Sequence, residues 1–185
     1  TTNLNPVEKS PSDNRIYKAF GYRMNGVSLI RDIDAQKSSA ALSMGVGSFK
    51  DPDNAHGLAH YLEHMLFMGT AKYPMKINIQ MYISIKTVYH KNSGSNNAYT
   101  GQEETNYMFE VSSTVFHKLW IDLPVFISPL LNQNSAEKEI NAVDSEHQKN
   151  IHNDSWRKYQ LTKHISKVGH PYNKFSTGNK STLAN

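Results

Sequence analysis

Three absences limit what this chain of 185 residues can be. It has no cysteine, so disulfide bonds and thiolate metal ligands are excluded. Its sequence has no apolar run close to the ~20 residues that a membrane-spanning helix needs, so we expect no membrane partner. The formal net charge is only +4, and the basic residues are scattered. Because no basic motif is interleaved with aromatic residues, we expect no nucleic-acid partner.

The compartment stays unknown from the sequence. The first five residues have no signal-peptide pattern, which favours the cytoplasm. The chain does not begin with Met, however, and a targeting segment could have preceded it.

The most informative short pattern is H-x-x-E-H, formed by His60, Glu63 and His64. Two histidines four residues apart on a helix project from one face, and Glu63 lies beside them. Two imidazoles can bind a zinc ion, and a neighbouring carboxylate can act on a water molecule at that ion. This order is the inverted form of the H-E-x-x-H zinc signature. The pattern therefore predicts a metallopeptidase.

A third protein ligand is needed, because catalytic zinc sites usually use three and keep one position for water. Glu139 and Glu146 are seven residues apart, about two helical turns, and so project from the same side. Ala142 and Val143 lie between them and suggest that this side faces the interior. Inward carboxylates are costly unless they are paired or bind a metal. Both glutamates are therefore candidates for the third ligand.

The hydrophobic pattern predicts an alternation of strands and helices. We expect residues 51–54 to form a turn that can cap the motif helix, which ends near Gly69. Two strands are expected at 96–100 and 106–112 around a polar turn. Another helix is expected to run from residue 135 to about 163. Trp156 is expected to pack in the core or between helices.

Five segments of this chain resemble, in the same order, the M16 family of inverzincin metallopeptidases. They are HGLAHYLEHMLFMGT at 56–70, SNNAYT at 95–100, ETNY at 104–107, EINAVDSEH at 139–147 and HPYNKFSTGN at 170–179. The resemblance implies an α+β fold, in which a largely antiparallel β-sheet is flanked by α-helices. Residues 1–15 would then be an irregular N-terminal arm. Residues 16–185 would be an M16-type N-terminal catalytic domain that is incomplete at its C-terminal end.

The resemblance also implies roles for five residues. His60, His64 and Glu146 would bind Zn²⁺. Glu63 would be the general base, and Glu139 would be a catalytic-site carboxylate that orients one of the ligands. The implied function is that of a zinc metalloendopeptidase, which hydrolyses peptide bonds of small, flexible peptides with a zinc-activated water.

The substrate-binding residues implied by the resemblance are Asn97, Ala98 and Tyr99. In this family the matching edge strand binds the substrate in extended form by β-augmentation. A purely structural role in a hairpin is the alternative for these residues. The expected partners are peptide substrates and a C-terminal M16 half, because the family is several times longer. That half would belong to the same full-length chain or to a second subunit.

One segment departs from the family pattern, and other functions stay open. Residues 75–91 are longer than the pattern and contain no acidic residue, as a natural insertion or an artefactual exon boundary would produce. One alternative function is a non-catalytic M16-like structural or interaction subunit. Another is a truncated fragment that binds zinc and does nothing else. The intact motif residues favour the enzyme, although activity of the isolated fragment is doubtful.

Overall fold

The computed structural model describes residues 2–3, 8–22, 25–68, 93–116 and 129–184. The chain divides into two compact units, Thr1–Gln36 and Lys37–Asn185. The predicted division into an arm over 1–15 and a domain over 16–185 stays a prediction. The unusual segment at 75–91 lies outside the described residues.

The first unit is a small antiparallel sheet. Its strands are β1 (Thr2–Asn3), β2 (Ile16–Tyr22) and β3 (Asn25–Arg31), in that spatial order. The hairpin of β2 and β3 pairs Ile16 with Arg31 at its open end. All of the candidate site residues belong to the second unit.

The second unit contains a sheet of β4 (Lys37–Met44), β5 (Ser95–Thr100) and β6 (Thr105–Ser112). The spatial order is β4-β6-β5, and both pairings are antiparallel. Together with the helices described below, this confirms the predicted α+β fold with an antiparallel sheet. Among the described strands, β5 pairs with β6 alone and therefore lies at an edge.

The β5–β6 hairpin shows why these residues form strands. Along β6 every second side chain is buried, as the two-residue period of a half-buried strand requires. Those buried residues are Thr105, Tyr107, Phe109 and Val111. The predicted strands at 96–100 and 106–112 are confirmed, and each begins one residue earlier than expected.

The described residues of the second unit form four α-helices: α1 (Leu58–Leu66), α2 (Gln133–Asn150), α3 (Asp154–His164) and the short α4 (Lys180–Leu183). The motif helix α1 contacts β5 and β6 on one side and α2 on another, and so it connects the sheet to the second helix. Within the described ranges, no helix combines the length and apolar character needed to cross a bilayer.

The helix predicted over 135–163 is wrong in its middle, because the structure contains two helices there. Helix α2 ends at Asn150, and Asn153 caps the start of α3. Its side-chain oxygen accepts hydrogen bonds from the N–H groups of Ser155 and Trp156 at 2.9 and 3.3 Å. Asparagine is a favoured capping residue because it satisfies N–H groups that a new helix leaves free.

Fewer residues of α2 are buried than the sequence predicted. Val143 is fully buried, but Ala142 is exposed, so the prediction is correct for only one of the two. Glu139, Val143 and Glu146 are related by steps of four and three residues and share one helix face. Ala142 lies beside that face.

Candidate metal centre

The start of α1 is held by the carboxylate of Asp51. It accepts hydrogen bonds from the N–H groups of Gly57 and Ala59, both at 2.8 Å. This confirms that the turn at 51–54 caps the motif helix. Burial raises the pKa of the Asp51 carboxyl, although the two N–H groups oppose this by favouring the charged form.

Helices α1 and α2 bring two imidazoles and one carboxylate together. The Nε2 atoms of His60 and His64 lie 3.6 and 3.7 Å from the same oxygen, Oε2 of Glu146. The two rings are nearly perpendicular at 86°, with centroids 4.8 Å apart. Ligand atoms of these three residues all lie within 4.8 Å of one another, so the group could hold a metal ion.

These separations fit zinc. Two ligands at ~2.1 Å from a tetrahedral metal are ~3.4 Å apart. The measured 3.6 and 3.7 Å from Glu146 to the two histidines are close to that value. Two imidazoles with one carboxylate are also a ligand set that catalytic zinc sites use.

The other nitrogen of each histidine already has an acceptor. Nδ1 of His60 lies 2.7 Å from the backbone carbonyl oxygen of Thr177. Nδ1 of His64 lies 2.7 Å from Oε1 of Glu139. When Nδ1 carries the proton and donates it, Nε2 is left free for a metal. The structure therefore brings Glu139 against a candidate ligand, and Thr177 joins it as a residue to which the sequence assigned no role.

The electrostatics of the group are those of a site that is rich in negative charge. Burial lowers the pKa of His64, but its contacts with Glu139 and Glu146 outweigh burial and raise that pKa to about 9. The interaction with His64 lowers the pKa of Glu146, against the opposing effect of burial. Both pKa shifts arise because the interaction between the two side chains favours their charged forms.

Glu63 lies at the same place and is almost completely buried, with 8% of its surface exposed. Its Oε2 accepts a hydrogen bond from Oγ1 of Thr100 at 2.6 Å, which fixes the carboxylate against the end of β5. Sequence reasoning gave Thr100 no role. The strand register could have revealed this residue. Thr100 pairs with the buried Thr105, so its side chain lies on the same face of the sheet.

A cavity of about 620 Å³ adjoins all three candidate ligands and Glu63. The edge strand β5 lines it with Ala98, Tyr99 and Thr100. Asn97 lies on β5 as predicted, but it is exposed and is not among the cavity-lining residues of the described chain. The edge strand β5 and the two histidines therefore line the same cavity.

Three residues of α3 also line the cavity: Ser155, Trp156 and Tyr159. Of the two positions predicted for Trp156, the core is wrong, because 41% of the residue is exposed and it lines the cavity, and packing between helices stays a prediction. Burial raises the pKa of the Tyr159 hydroxyl, but hydrogen bonds and the nearby charge of Lys163 outweigh it, and the pKa is lowered. Lys163 is itself fully buried, with its ammonium 5.0 Å from the centre of the Tyr159 ring.

Residues 27–169 match the family described as Insulinase (Peptidase family M16). The chain belongs to peptidase family M16. It is 47% identical over 180 residues to "Insulin-degrading enzyme-like 1, peroxisomal" of Arabidopsis thaliana, covering 96% of this chain and 18% of the relative. It is 44% identical over 182 residues to human insulin-degrading enzyme, covering 97% of this chain and 17% of the relative.

A solved M16 structure agrees with these sequence matches. Pitrilysin superimposes with a TM-score of 0.87 and 36% identity, over 98% of this chain and 19% of the other. The resemblance found in the sequence is thereby confirmed, and membership of M16 supports a peptidase role. The chain spans less than a fifth of the length of these relatives.

Proposed function

We propose that this chain provides the zinc site of an M16 endopeptidase that hydrolyses small, flexible peptides. One observation carries the proposal: His60, His64 and Glu146 form a group that could hold a metal ion, and they line the same cavity as Glu63. A histidine–carboxylate ion pair alone would not require a second carboxylate, Glu63, on the same cavity. A zinc peptidase requires both.

Bound zinc would polarise the scissile carbonyl and make a water molecule more acidic. Glu63 would accept a proton from the attacking water and pass it to the leaving amine as the peptide bond breaks. The hydrogen bond from Thr100 would keep one oxygen of Glu63 fixed, so that the other oxygen faces the water. The glutamate would thus serve as base first and as acid afterwards.

Thr177 and Glu139 would orient the two histidines. Each accepts a hydrogen bond from Nδ1, and each thereby directs Nε2 of its histidine towards Glu146. Glu139 would in addition make His64 a stronger ligand, because a carboxylate partner raises the basicity of an imidazole.

The substrate would bind along β5, at Asn97, Ala98 and Tyr99. An edge strand presents unpaired backbone groups, and an extended peptide can pair with them as an additional strand. Such pairing recognises the backbone of the peptide and places few demands on its side chains. The exposed Asn97 would contribute through its backbone rather than through the cavity wall.

A C-terminal M16 half, in the same full-length chain or as a second subunit, would complete the binding surface. The chain matches less than a fifth of each relative, and the cavity formed by the described residues is open to solvent. We expect peptide hydrolysis to require that half. The zinc site itself is formed by residues of this chain.

The test measures tightly bound zinc per folded chain for the wild type, Glu146→Ala and Glu63→Gln. We expect one zinc in the wild type, loss of zinc in Glu146→Ala and retention in Glu63→Gln. Glu137→Gln, an exposed glutamate of the same helix, is the matched control and should retain zinc. A folded wild-type chain that takes up no zinc would refute the proposal.

A second measurement separates an enzyme from a fragment that only binds zinc. Peptide cleavage is measured after a C-terminal M16 half has been added to the zinc-loaded chain. Cleavage that depends on Glu63 would establish the endopeptidase. Zinc binding without cleavage under these conditions would favour the inactive fragment.

A further inference from the structure

Two glycines meet where the segment after Thr177 crosses the start of α1. Gly57 and Gly178 have φ angles of +89° and +78°, a conformation that side chains rarely tolerate. A Cβ atom added to Gly57 would lie 2.2 Å from Cα of Gly178. One added to Gly178 would lie 3.1 Å from Cα of Gly57 and 2.9 Å from Cδ1 of Leu183. The two backbones are therefore in direct contact.

This contact lies beside a candidate metal ligand. Thr177 directly precedes Gly178, and its carbonyl oxygen is 2.7 Å from Nδ1 of His60. His60 lies in the first turn of α1, three residues after Gly57. Any side chain at the crossing would push apart the two backbones that carry this hydrogen bond.

The same segment is attached to both helices that hold the ligand group. Thr182 donates a hydrogen bond from Oγ1 to the carbonyl oxygen of His56, before α1, at 2.8 Å. The N–H of Lys180 donates to Oδ1 of Asp144, on α2, at 2.9 Å. Asn179 and Thr182 complete a capping box that holds the short helix α4 in place. We call residues 177–182 the clasp.

We propose that Gly57 and Gly178 are positioning residues of the metal site. Their contact sets the distance between the clasp and α1. At that distance the Thr177 carbonyl oxygen accepts a hydrogen bond from Nδ1 of His60, and Nε2 of His60 is directed towards Glu146. This inference rests on the proposed function, since the positioned group is a zinc ligand. Neither glycine belongs to the candidate ligand group or lines the cavity.

The experiment compares Gly178→Ala with Gly169→Ala. Gly169 also has a positive φ, +80°, but nothing lies within 4 Å of an added Cβ atom. Both variants carry the backbone strain, but only Gly178→Ala places a Cβ atom 3.1 Å from Cα of Gly57, so that the clasp and α1 must separate by a few tenths of an ångström. We expect Gly178→Ala to bind zinc about 10–100-fold more weakly per folded chain, as changes in the groups that orient ligands do. Gly169→Ala should stay within about twofold of the wild type, since it leaves those groups in place.

A second readout reports the hydrogen bond itself. In ¹⁵N NMR spectra of the zinc-free wild type, Nδ1 of His60 should carry a proton that exchanges slowly with water, and Gly178→Ala should lose that protection. A folded Gly178→Ala chain with unchanged zinc affinity would overturn the inference, even if its unfolding free energy were lower. That result would assign the glycines a structural role only.

Thr182→Val keeps the inference testable if Gly178→Ala does not fold. It removes the hydrogen bond to His56 and the one that closes the capping box with Asn179, so it loosens the clasp without adding a clash, and it should weaken zinc binding less than Gly178→Ala. Unchanged zinc affinity in Thr182→Val would then refute the inference. If the folded wild type takes up no zinc, the proposed function fails. The His60 proton signal in that same chain still decides whether the clasp holds the ring.

Discussion

The two histidines of α1 each have a hydrogen-bond acceptor at the same distance from Nδ1, but the two acceptors differ in charge. Nδ1 of His60 faces the neutral carbonyl of Thr177, and Nδ1 of His64 faces the carboxylate of Glu139, both at 2.7 Å. A carbonyl oxygen can orient an imidazole. A carboxylate orients it and also adds a negative charge. The comparison separates these two effects within one site.

The difference has a consequence for charge balance. Glu146 and Glu139 together carry two negative charges when both are ionised, which equals the charge of one zinc ion. In the zinc-free chain that negative charge favours a proton instead, and the pKa of His64 rises to about 9. Zinc therefore competes with a proton for the imidazole of His64.

The largest effect is expected from Glu146→Gln, because Glu146 is the partner that both histidines share. An amide is a poorer zinc ligand than a carboxylate, and we expect zinc affinity to fall by more than about 100-fold. Competition with a chelator of known affinity measures this loss. Affinity within threefold of the wild type would show that the two histidines bind zinc without Glu146.

Glu139→Gln makes the two histidines alike, because the amide oxygen still accepts a hydrogen bond but carries no charge. We expect zinc affinity to fall about tenfold, and about 100-fold in Glu139→Ala, which also removes the acceptor. The same chelator assay measures both. Equal losses in the two variants would mean that charge alone matters, and no loss in Glu139→Gln would mean that orientation alone matters.

The smallest effect is a change in proton release. At pH 7 the zinc-free His64 is protonated, since its pKa is about 9, so zinc binding must release that proton. Affinity should rise with pH, at most tenfold per pH unit, and level off near pH 9. Glu139→Gln should release fewer protons at pH 7. Calorimetry in buffers of different ionisation enthalpy counts these protons, and identical counts would contradict the assignment.

Sequence could predict the parts of the site that depend on local periodicity. His60 and His64 are one helical turn apart, and Glu139 and Glu146 are two turns apart, so their common faces follow from helix geometry. The strand pattern likewise predicted the β5–β6 hairpin, because the buried residues alternate. Chain segments that are far apart in sequence met as expected only where family resemblance connected them.

The missed parts of the structure have a weak side-chain signal or none. The acceptor for His60 is a backbone carbonyl, which every residue possesses, so nothing in the identity of Thr177 announces the contact. The break between α2 and α3 depends on Asn153, whose capping competes with continuation of a regular helix.

Because of that break, two separate helices carry different parts of the candidate site. Helix α2 carries Glu139 and Glu146, and α3, which begins anew at Asn153, carries the aromatic wall of the cavity. A substitution at Trp156 can change which side chains the cavity accepts and leave every candidate ligand in place. Substitutions on the cavity-lining face of α3 would therefore change the peptide preference that we propose for this domain.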